Sequence, residues 1–344
     1  MHVQVIDVLR DQNWSPLLAS HSRASFFHSS AWARVLHDTY GHQPVYFCQI
    51  EDEQLKGLLP VMEVNSALTH RRGIALPFTD FSAPFATSQS RYQELFDSAV
   101  KYGRNHGWAH LECRGGYAPA PEARPSTSFH GHDLDLTAGE QPLFNGLDSA
   151  MRRGIRKAQN AGLTVQFSTN DQAMREFYLL HSGTRRRHGL PPQPYRFFEN
   201  ITRHVLARGL GFIASIAIAS EPVAAAIFFH NNCQAIYKFG ASDFAFQQLR
   251  PNNLLMWEAI KHCAGLGIQT LHFGRTSFAN EGLRRFKQEF GAREERIDYF
   301  KFDLATRSFV TDADRVESWH NFVFRCLPGP LLRLAGRTLY PHLA

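Results

Sequence analysis

Two decapeptides, one in each half of the chain, constrain the fold more than any other feature: HGWAHLECRG from His106 and LGIQTLHFGR from Leu266. Each has a glycine after a helical stretch, an apolar residue directly behind it, a leucine three further on, and an Arg-Gly or Gly-Arg ending. A helix closed by glycine and followed by a short apolar strand, met twice within the same order of elements, predicts two copies of one α/β module.

The flanking periodicities supply that order. In the first half, Ser29 and Ser30 cap a helix through Trp32 and Val35, and strands Val45 to Ile50 and Leu55 to Met62 flank the turn Glu51-Asp52-Glu53. Tyr92, Leu95, Phe96 and Ala99 share one helical face before the strand Trp108 to Cys113, and a Pro- and Ser-rich loop runs from Pro119 to Ser128. From about residue 143 the order restarts with an apolar stripe, Phe144, Leu147, Met151 and Ile155, on a helix whose other faces carry Arg152, Arg153, Arg156 and Lys157. Helices opened by Asp171 and by Pro194-Tyr195 precede three strands, Phe212 to Ala219, Val223 to His230 and Gln234 to Phe239. A helix begins at Pro251 and ends near Gly265 or Gly267, Ile268 to Phe273 is a strand, Asn280 to Phe290 a short helix, and Ile297 to Phe302 a last strand. The expected domains are 1–142, 143–310 and a basic amphipathic tail, 311–344.

At 344 residues the chain exceeds what one core usually serves, and 44% hydrophobic with 20% charged residues excludes a disordered or collagenous protein. The longest apolar run, Val223 to Phe229, is too short for a bilayer, and the N-terminus has no basic flank ahead of an apolar run, so the chain reads as cytoplasmic or peripheral at the inner face of the membrane. Five cysteines without a CxxC pair argue against a disulfide framework. A formal charge of +6 points to an anionic partner without choosing among nucleotide, tRNA, lipid or polymer.

Several familiar signatures fail by context. Gly209-Leu210-Gly211 precedes a strand, whereas a dinucleotide fingerprint follows one. His110-Leu111-Glu112 lacks the PCxxC that would complete a zinc deaminase site, and His130 with His132 reads as a surface pair on one strand face. No HExxH, Walker loop or GxSxG occurs, and no metal site is expected.

Chemistry concentrates between Tyr237 and Ala292. The helix starting at Pro251 turns unpaired amides toward the preceding loop, which attracts phosphate, with Arg250, Asn252 and Asn253 at hand. Gly274-Arg275-Thr276-Ser277 stands at the carboxyl end of a strand, where α/β sheets bind ligands. Leu283, Phe286 and Phe290 share an apolar face, which leaves Lys287 at its edge, either snorkelling to water or placing a compact cation beside a cleft. The basic runs Arg152 to Lys157 and Arg185 to His188 read first as solvated faces, with the alternative that positions four apart, such as Arg152 and Arg156, project together as a phosphate track. In the tail, Phe322, Phe324, Leu327, Leu331 and Leu332 alternate with Arg325, Arg333 and Arg337, interrupted by Pro328 and Pro330, which suits either a membrane surface or docking onto the first domain.

At MRRGIRKAQNAGL, the Arg186 to Pro191 run, YKFGASD, RPNNLLMWEAI and HFGRTSFANEGLRRFKQEFGA, the chain resembles the FemAB-like group of the GNAT acyltransferases, in particular the FemAB-related proteins of PEP-CTERM and exosortase systems. The resemblance runs from about Phe26 to Phe302. It implies an α/β fold of tandem GNAT-like domains, mixed sheets flanked by helices, that transfers an acyl or aminoacyl group onto an amine in cell-envelope or exopolysaccharide biogenesis. It implies catalysis at Phe286 and Lys287, with Lys287 stabilising the developing oxyanion. The donor site would be lined by the Tyr237, Lys238 and Phe239 strand, and residues Pro251 to Leu254 would face its phosphates. Charge and loop placement add Arg275 as a catalytic or anchoring group and Arg71 and Arg72 as acceptor anchors. Asp80 and Asp243 are the best carboxylates, and each reads first as a turn residue.

The chain departs from the family in three ways. The R/Q-x-x-G-x-G acyl-CoA signature is missing around Gln247 to Asn253. The acceptor-binding lysine expected shortly after Trp32 is replaced by Arg34, and no tRNA-binding helical arm is visible. The donor therefore stays open between acyl-CoA and aminoacyl-tRNA, with tRNA not favoured; the acceptor is an amine-bearing envelope or polysaccharide precursor, and no tightly bound cofactor is expected. A non-enzymatic module binding an anionic polymer or nucleic acid, or a membrane-surface scaffold, is the alternative.

Overall fold

The computed structural model describes residues 2–19, 21, 23–82, 84–311 and 324–343; Phe322 of the tail lies outside them. The chain forms two compact units: Met1–Phe129 with Arg296–Arg315 and Thr338–Ala344, and His130–Glu295 with Val316–Arg337. These differ from the sequence boundaries at 142/143 and 310/311. No helix among the described residues is long and apolar enough to cross a membrane.

The first unit holds β1 (Gln4–Ile6), α1 (Trp14–Ala19), α2 (Ser30–Tyr40), β2 (Gln43–Glu51), β3 (Gln54–Val64), β4 (Arg72–Ile74), β5 (Phe85–Ala86), α3 (Gln89–Asn105) and β6 (His110–Arg114). Ser29 caps α2 by accepting from the Trp32 amide at 3.3 Å, as its position predicts. The β2–β3 hairpin closes on Asp52 and Glu53, both at positive φ, the geometry that matches strand twist in a two-residue turn. One face of α3, Tyr92, Leu95, Phe96 and Ala99, packs with Phe47, Leu59, Val61 and Trp108 in this unit's core. The strand order is β1-β2-β3-β4-β6, antiparallel except for the parallel β4·β6 pair.

Strand β7 (Thr127–Asp135) leads into the second unit, with α4 (Glu140–Gly146), α5 (Ser149–Asn160), β8 (Gln166–Ser168), α6 (Asp171–Arg187), α7 (Tyr195–His204), β9 (Gly211–Ile218), β10 (Glu221–Asn231), β11 (Gln234–Ser242), α8 (Pro251–Gly265), β12 (Thr270–His272), β13 (Thr276–Ser277) and α9 (Glu281–Gln288). The single helix expected over residues 144–155 is two: Leu147 ends α4, and Asp148 begins α5 by accepting from the Ala150 amide at 2.7 Å. The sheet order is β7-β12-β11-β10-β9-β8. Strand alternation sorts the core into two faces. Phe212, Ala214, Ala224, Ala226 and Phe228 meet Met151 and Ile155 of α5 and Leu255 and Ile260 of α8. On the other face, Phe239 of β11 packs within 5.6–6.3 Å of Phe177, Phe197 and Phe198 from α6 and α7.

Strand β14 (Arg293–Asp303) follows, its residues 296–303 belonging to the first unit, where Tyr299–Asp303 pair with β6; β15 (Ser308–Val310) pairs with its end. The tail forms α10 (Gly329–Leu339) after Pro328, with Pro330 in its first turn, where a missing N–H costs nothing. The amphipathic stretch through Arg337 belongs to the second unit, and only the residues from Thr338 on belong to the first, where the Arg72 guanidinium donates to the His342 carbonyl at 2.8 Å and Tyr340 packs on Phe78.

Candidate active site

In the second unit, β11 pairs along β10, but between Ile227 and Phe228 the register slips. Ile227 faces Phe239 and Phe228 faces Tyr237, so Lys238 is the extra residue of a bulge and its backbone turns out of the ladder. On its other side β11 pairs with β12 only through Gln234–Ile236 opposite Thr270–His272, and runs on to Ser242 past the end of β12. The sheet therefore opens from Tyr237 onward, at the carboxyl ends of two parallel strands.

The side chains named for the donor site divide around this opening. Tyr237 sits on the α5/α8 face near Phe228 and Phe273, and burial pushes its hydroxyl up to about 12, so it is a neutral phenol at pH 7. The Lys238 ammonium lies 5.2 Å from the centre of the Phe239 ring, and that ring belongs to the opposite aromatic cluster. Phe239 thus contributes backbone to the opening, and its side chain is core.

At the start of α8, Arg250 occupies the cap position in left-handed conformation (φ 60°), and its side chain makes no cap bond. Beside it lies a cavity of about 410 Å³ lined by Ala150, Arg153, Gly154, Lys157, Arg250, Asn253 and Glu289. The Glu289 carboxylate is paired with Arg285 at 2.8 Å, which leaves three cations beside the helix start. Gly154 lets α5 approach: a Cβ there would stand 2.6 Å from Asn253 Nδ2. Asn252 donates to Ser242 Oγ at 3.1 Å and ties the helix start to the end of β11. The spacing of the basic run on α5 is as expected but its facing is not. Arg152 donates to the Asn145 carbonyl and Arg156 lies over the Phe144 ring, both folded back on α4, while Arg153 and Lys157 line the cavity.

Lys287 is neither at the edge of α9 nor in water. It is the buried residue of that helix, with 2% of its surface exposed, and its Nζ donates to the Gly274 carbonyl at 2.8 Å and the Arg275 carbonyl at 3.2 Å. Phe286 is half-buried and stacks edge-on with Phe290, which in turn packs on Phe273. The ammonium thus clamps the loop at the end of β12, where the sheet opens. Arg275 enters this arrangement through its carbonyl.

His130 and His132 are not a surface pair. His132 has no exposed surface, and its Nε2 stands 3.2 Å from Glu294 Oε2, while His130 Nδ1 stands 3.1 Å from Oε1. Arg284 holds that carboxylate with two bonds of 2.7 and 2.9 Å and keeps it below the usual carboxylate range. Burial, then the Lys287 charge, bring His132 down to about 4, so a neutral imidazole stands near the buried cation at pH 7. The H-x-H alternation was the available signal; what it lacked was that β7 lies between β12 and β14.

A second group, Asp133, His272 and Glu295, brings one ligand-type atom from each residue within 4.8 Å of the others. The Gly274 amide donates to His272 Nδ1 at 2.9 Å, which leaves the proton of the neutral ring on Nε2, the nitrogen nearer Glu295. The ring's Nε2 stands 3.9 Å from Glu295 Oε1, beyond hydrogen-bond distance. Burial, then Glu295, push Asp133 up to about 7.

The acceptor candidates in the first unit have structural partners. Arg34 donates to the Leu9 carbonyl at 2.9 Å, Arg71 to the His106 carbonyl at 3.0 Å, and buried Arg72 to Thr69 and His342. The Asp80 carbonyl accepts from the Tyr299 hydroxyl. These bonds hold loops and the chain end, and they do not assemble the four residues into one site. Asp243 caps a turn by accepting from the Ala245 amide at 2.9 Å.

The family comparison falls on the unit with the opened sheet. Residues 148–288 match the acetyltransferase (GNAT) domain model. That stretch is similar to a GNAT domain, and the match leaves the rest of the chain outside it. Among solved structures the chain is similar in fold to FemX, at 14% identity and a TM-score of 0.67 over 87% of this chain and 97% of that one. It is also similar to a tandem GNAT protein from the clavulanic acid biosynthesis pathway, at 11% identity and 0.56 over 88% and 99%. A third is the C-terminal domain (DUF2156) of a putative lysylphosphatidylglycerol synthetase from Agrobacterium fabrum, at 14% and 0.55 over 84% and 90%. These likenesses establish the fold, and no curated protein matches the chain. Lys287 falls on the last residues that the GNAT model matches, and Arg153, Lys157, Lys238, Arg250 and Asn253 fall inside them.

Proposed function

We propose that the chain is an N-acyltransferase whose GNAT domain binds an activated, phosphate-bearing acyl donor, with its phosphates in the cavity at the start of α8 and its acyl group in the opening between β11 and β12. The observation that carries this reading is the coincidence of three cations, Arg153, Lys157 and Arg250, with an uncapped helix start directly behind the strand that bulges at Lys238. Helix amides and arginine or lysine donors together favour a pyrophosphate or a nucleic-acid backbone over a neutral ligand.

The acceptor amine attacks the acyl carbon, the carbonyl oxygen gathers negative charge, and the bond to the carrier breaks as the amide forms. The Lys287 ammonium, held at the end of β12, supplies a fixed positive charge to that oxygen in a site of low dielectric, where it costs no reorganisation during the reaction. The proton that the attacking nitrogen sheds ends on the sulfur or oxygen of the departing carrier, which leaves as the neutral thiol or hydroxyl. The acceptor is an amine-bearing cell-envelope or exopolysaccharide precursor, a reading supported by the fold likeness to FemX and to the lysylphosphatidylglycerol synthetase domain.

Donor class is decided by titrating acyl-CoA and aminoacyl-tRNA separately into the wild type and into Arg153→Gln/Lys157→Gln, with intact-mass analysis of aminated glycan acceptors. One donor is expected to bind, to lose about tenfold or more in affinity in the variant, and to yield an acylated amine. Salt-dependent binding with no covalent product under any pairing contradicts the enzymatic reading.

A further inference from the structure

We propose that α10 docks on an anionic lipid surface, with Leu331 and Leu334 entering the interface and Arg333 and Arg337 meeting the headgroup phosphates. The helix is fixed on its inner side by Leu332, buried at 2%, and by Gly336, where a Cβ would collide with the Pro192 carbonyl. At about 100° per residue, the direction opposite those two belongs to Leu334, with Leu331 about 60° to one side and Arg337 about 60° to the other. Leu331 and Leu334 are 53% and 55% exposed, and Arg333 and Arg337 are exposed as well.

The outward face thus pairs two large aliphatic side chains with flanking guanidiniums whose apolar stems reach over an interface while their charges stay with the headgroups. Charge points to an anionic partner: after Glu317 the sequence holds no Asp or Glu, while Arg325, Arg333 and Arg337 follow. Arg325 also lines a cavity of about 690 Å³ with Arg186 and Arg187, so the basic surface continues beyond the helix, with Glu221 and Asp243 as the acidic residues of that cavity. A short helix with exposed leucines and arginines and no carboxylate fits a bilayer of anionic lipid, where apolar insertion and headgroup attraction add.

The test is co-sedimentation of the full chain with phosphatidylcholine vesicles, with and without phosphatidylglycerol, at low and high salt. Wild type is expected to partition onto the phosphatidylglycerol vesicles, at least about tenfold more weakly onto phosphatidylcholine alone, and to be released by salt. Leu331→Ser/Leu334→Ser and Arg333→Gln/Arg337→Gln are each expected to lose about tenfold in partition, with melting temperatures unchanged because all four side chains are exposed. No binding by wild type, equal binding to both vesicles, or unchanged partition in the folded Leu331→Ser/Leu334→Ser variant overturns the proposal. So does a concentration-dependent dimer that forms without vesicle binding, because the face then serves a second copy. Neither donor nor acceptor enters the assay, so its outcome is separate from that of the acyltransferase reading.

Discussion

Lys287 has almost no surface in water, and two carbonyls, from Gly274 and Arg275, take the place of hydration at its Nζ. That placement turns a residue at the margin of an amphipathic helix into a fixed charge at the end of β12. Lys287→Met keeps the length and removes the charge. Its kcat is expected to fall about 10²–10³-fold, the usual loss for one preorganised oxyanion donor, with the donor KM within a few fold. A rise in KM with kcat preserved shows instead that the ammonium only braces the donor site. At this scale the sequence was readable as far as the Phe286-Lys287 pair. The inward direction of Lys287 was not readable, because the carbonyls that hold it belong to a loop twelve and thirteen residues upstream, brought there by tertiary folding. The burial of His132 was hidden for the same reason.

Helix α5 shows how facing decides chemistry where spacing does not. Arg152 and Arg156 share one i, i+4 track and Arg153 and Lys157 the next, and the helix presents the second track to the cavity. Lys157→Gln is expected to raise the donor KM about tenfold with little change in kcat, and Arg152→Gln to leave both unchanged; equal effects at the two positions contradict this facing. The sequence could not supply the facing because the break at Leu147-Asp148 resets the helix phase, and Asp148 as a cap is one acidic residue in an otherwise continuous pattern. Other elements were plain: the two-residue turn at Asp52-Glu53, Pro251 opening α8, and the glycines before each repeated strand. One of those helices makes a stability prediction. A Cβ on Gly103 of α3 would lie 2.5 Å from Trp108 Cε3, and the Trp108 indole is pinned by its 2.7 Å bond to Glu63, so the ring has little room to retreat. Gly103→Ala is expected to destabilise by about 1–3 kcal/mol in denaturant unfolding, despite the better helix propensity of alanine.

For the whole molecule, buried histidines set the response to acid. Burial holds His42 at about 3 and His110, His132 and His181 at about 4, against 6.5 in an unfolded chain. Between pH 6.5 and 4 the unfolded chain therefore binds protons that the folded chain refuses, and stability falls as pH falls through that window. Asp133, raised to about 7, acts in the opposite sense, as does Glu295, but four histidines outnumber them. Melting temperature is expected to drop steadily from pH 7 to pH 4.5; a flat or rising profile contradicts the burial of these rings. Fold class was legible at this scale because two glycine-closed helices before apolar strands recur, and a mixed sheet flanked by helices, similar in fold to GNAT proteins, is what the second half forms. The measurement that bears most directly on function is single-turnover acyl transfer to an amine, followed by intact mass, with wild type and Lys287→Met both saturated with the donor that binds. A product that forms at least about a hundredfold more slowly in the variant is the predicted result, and rates within twofold of each other would contradict a role for that buried charge in the transition state.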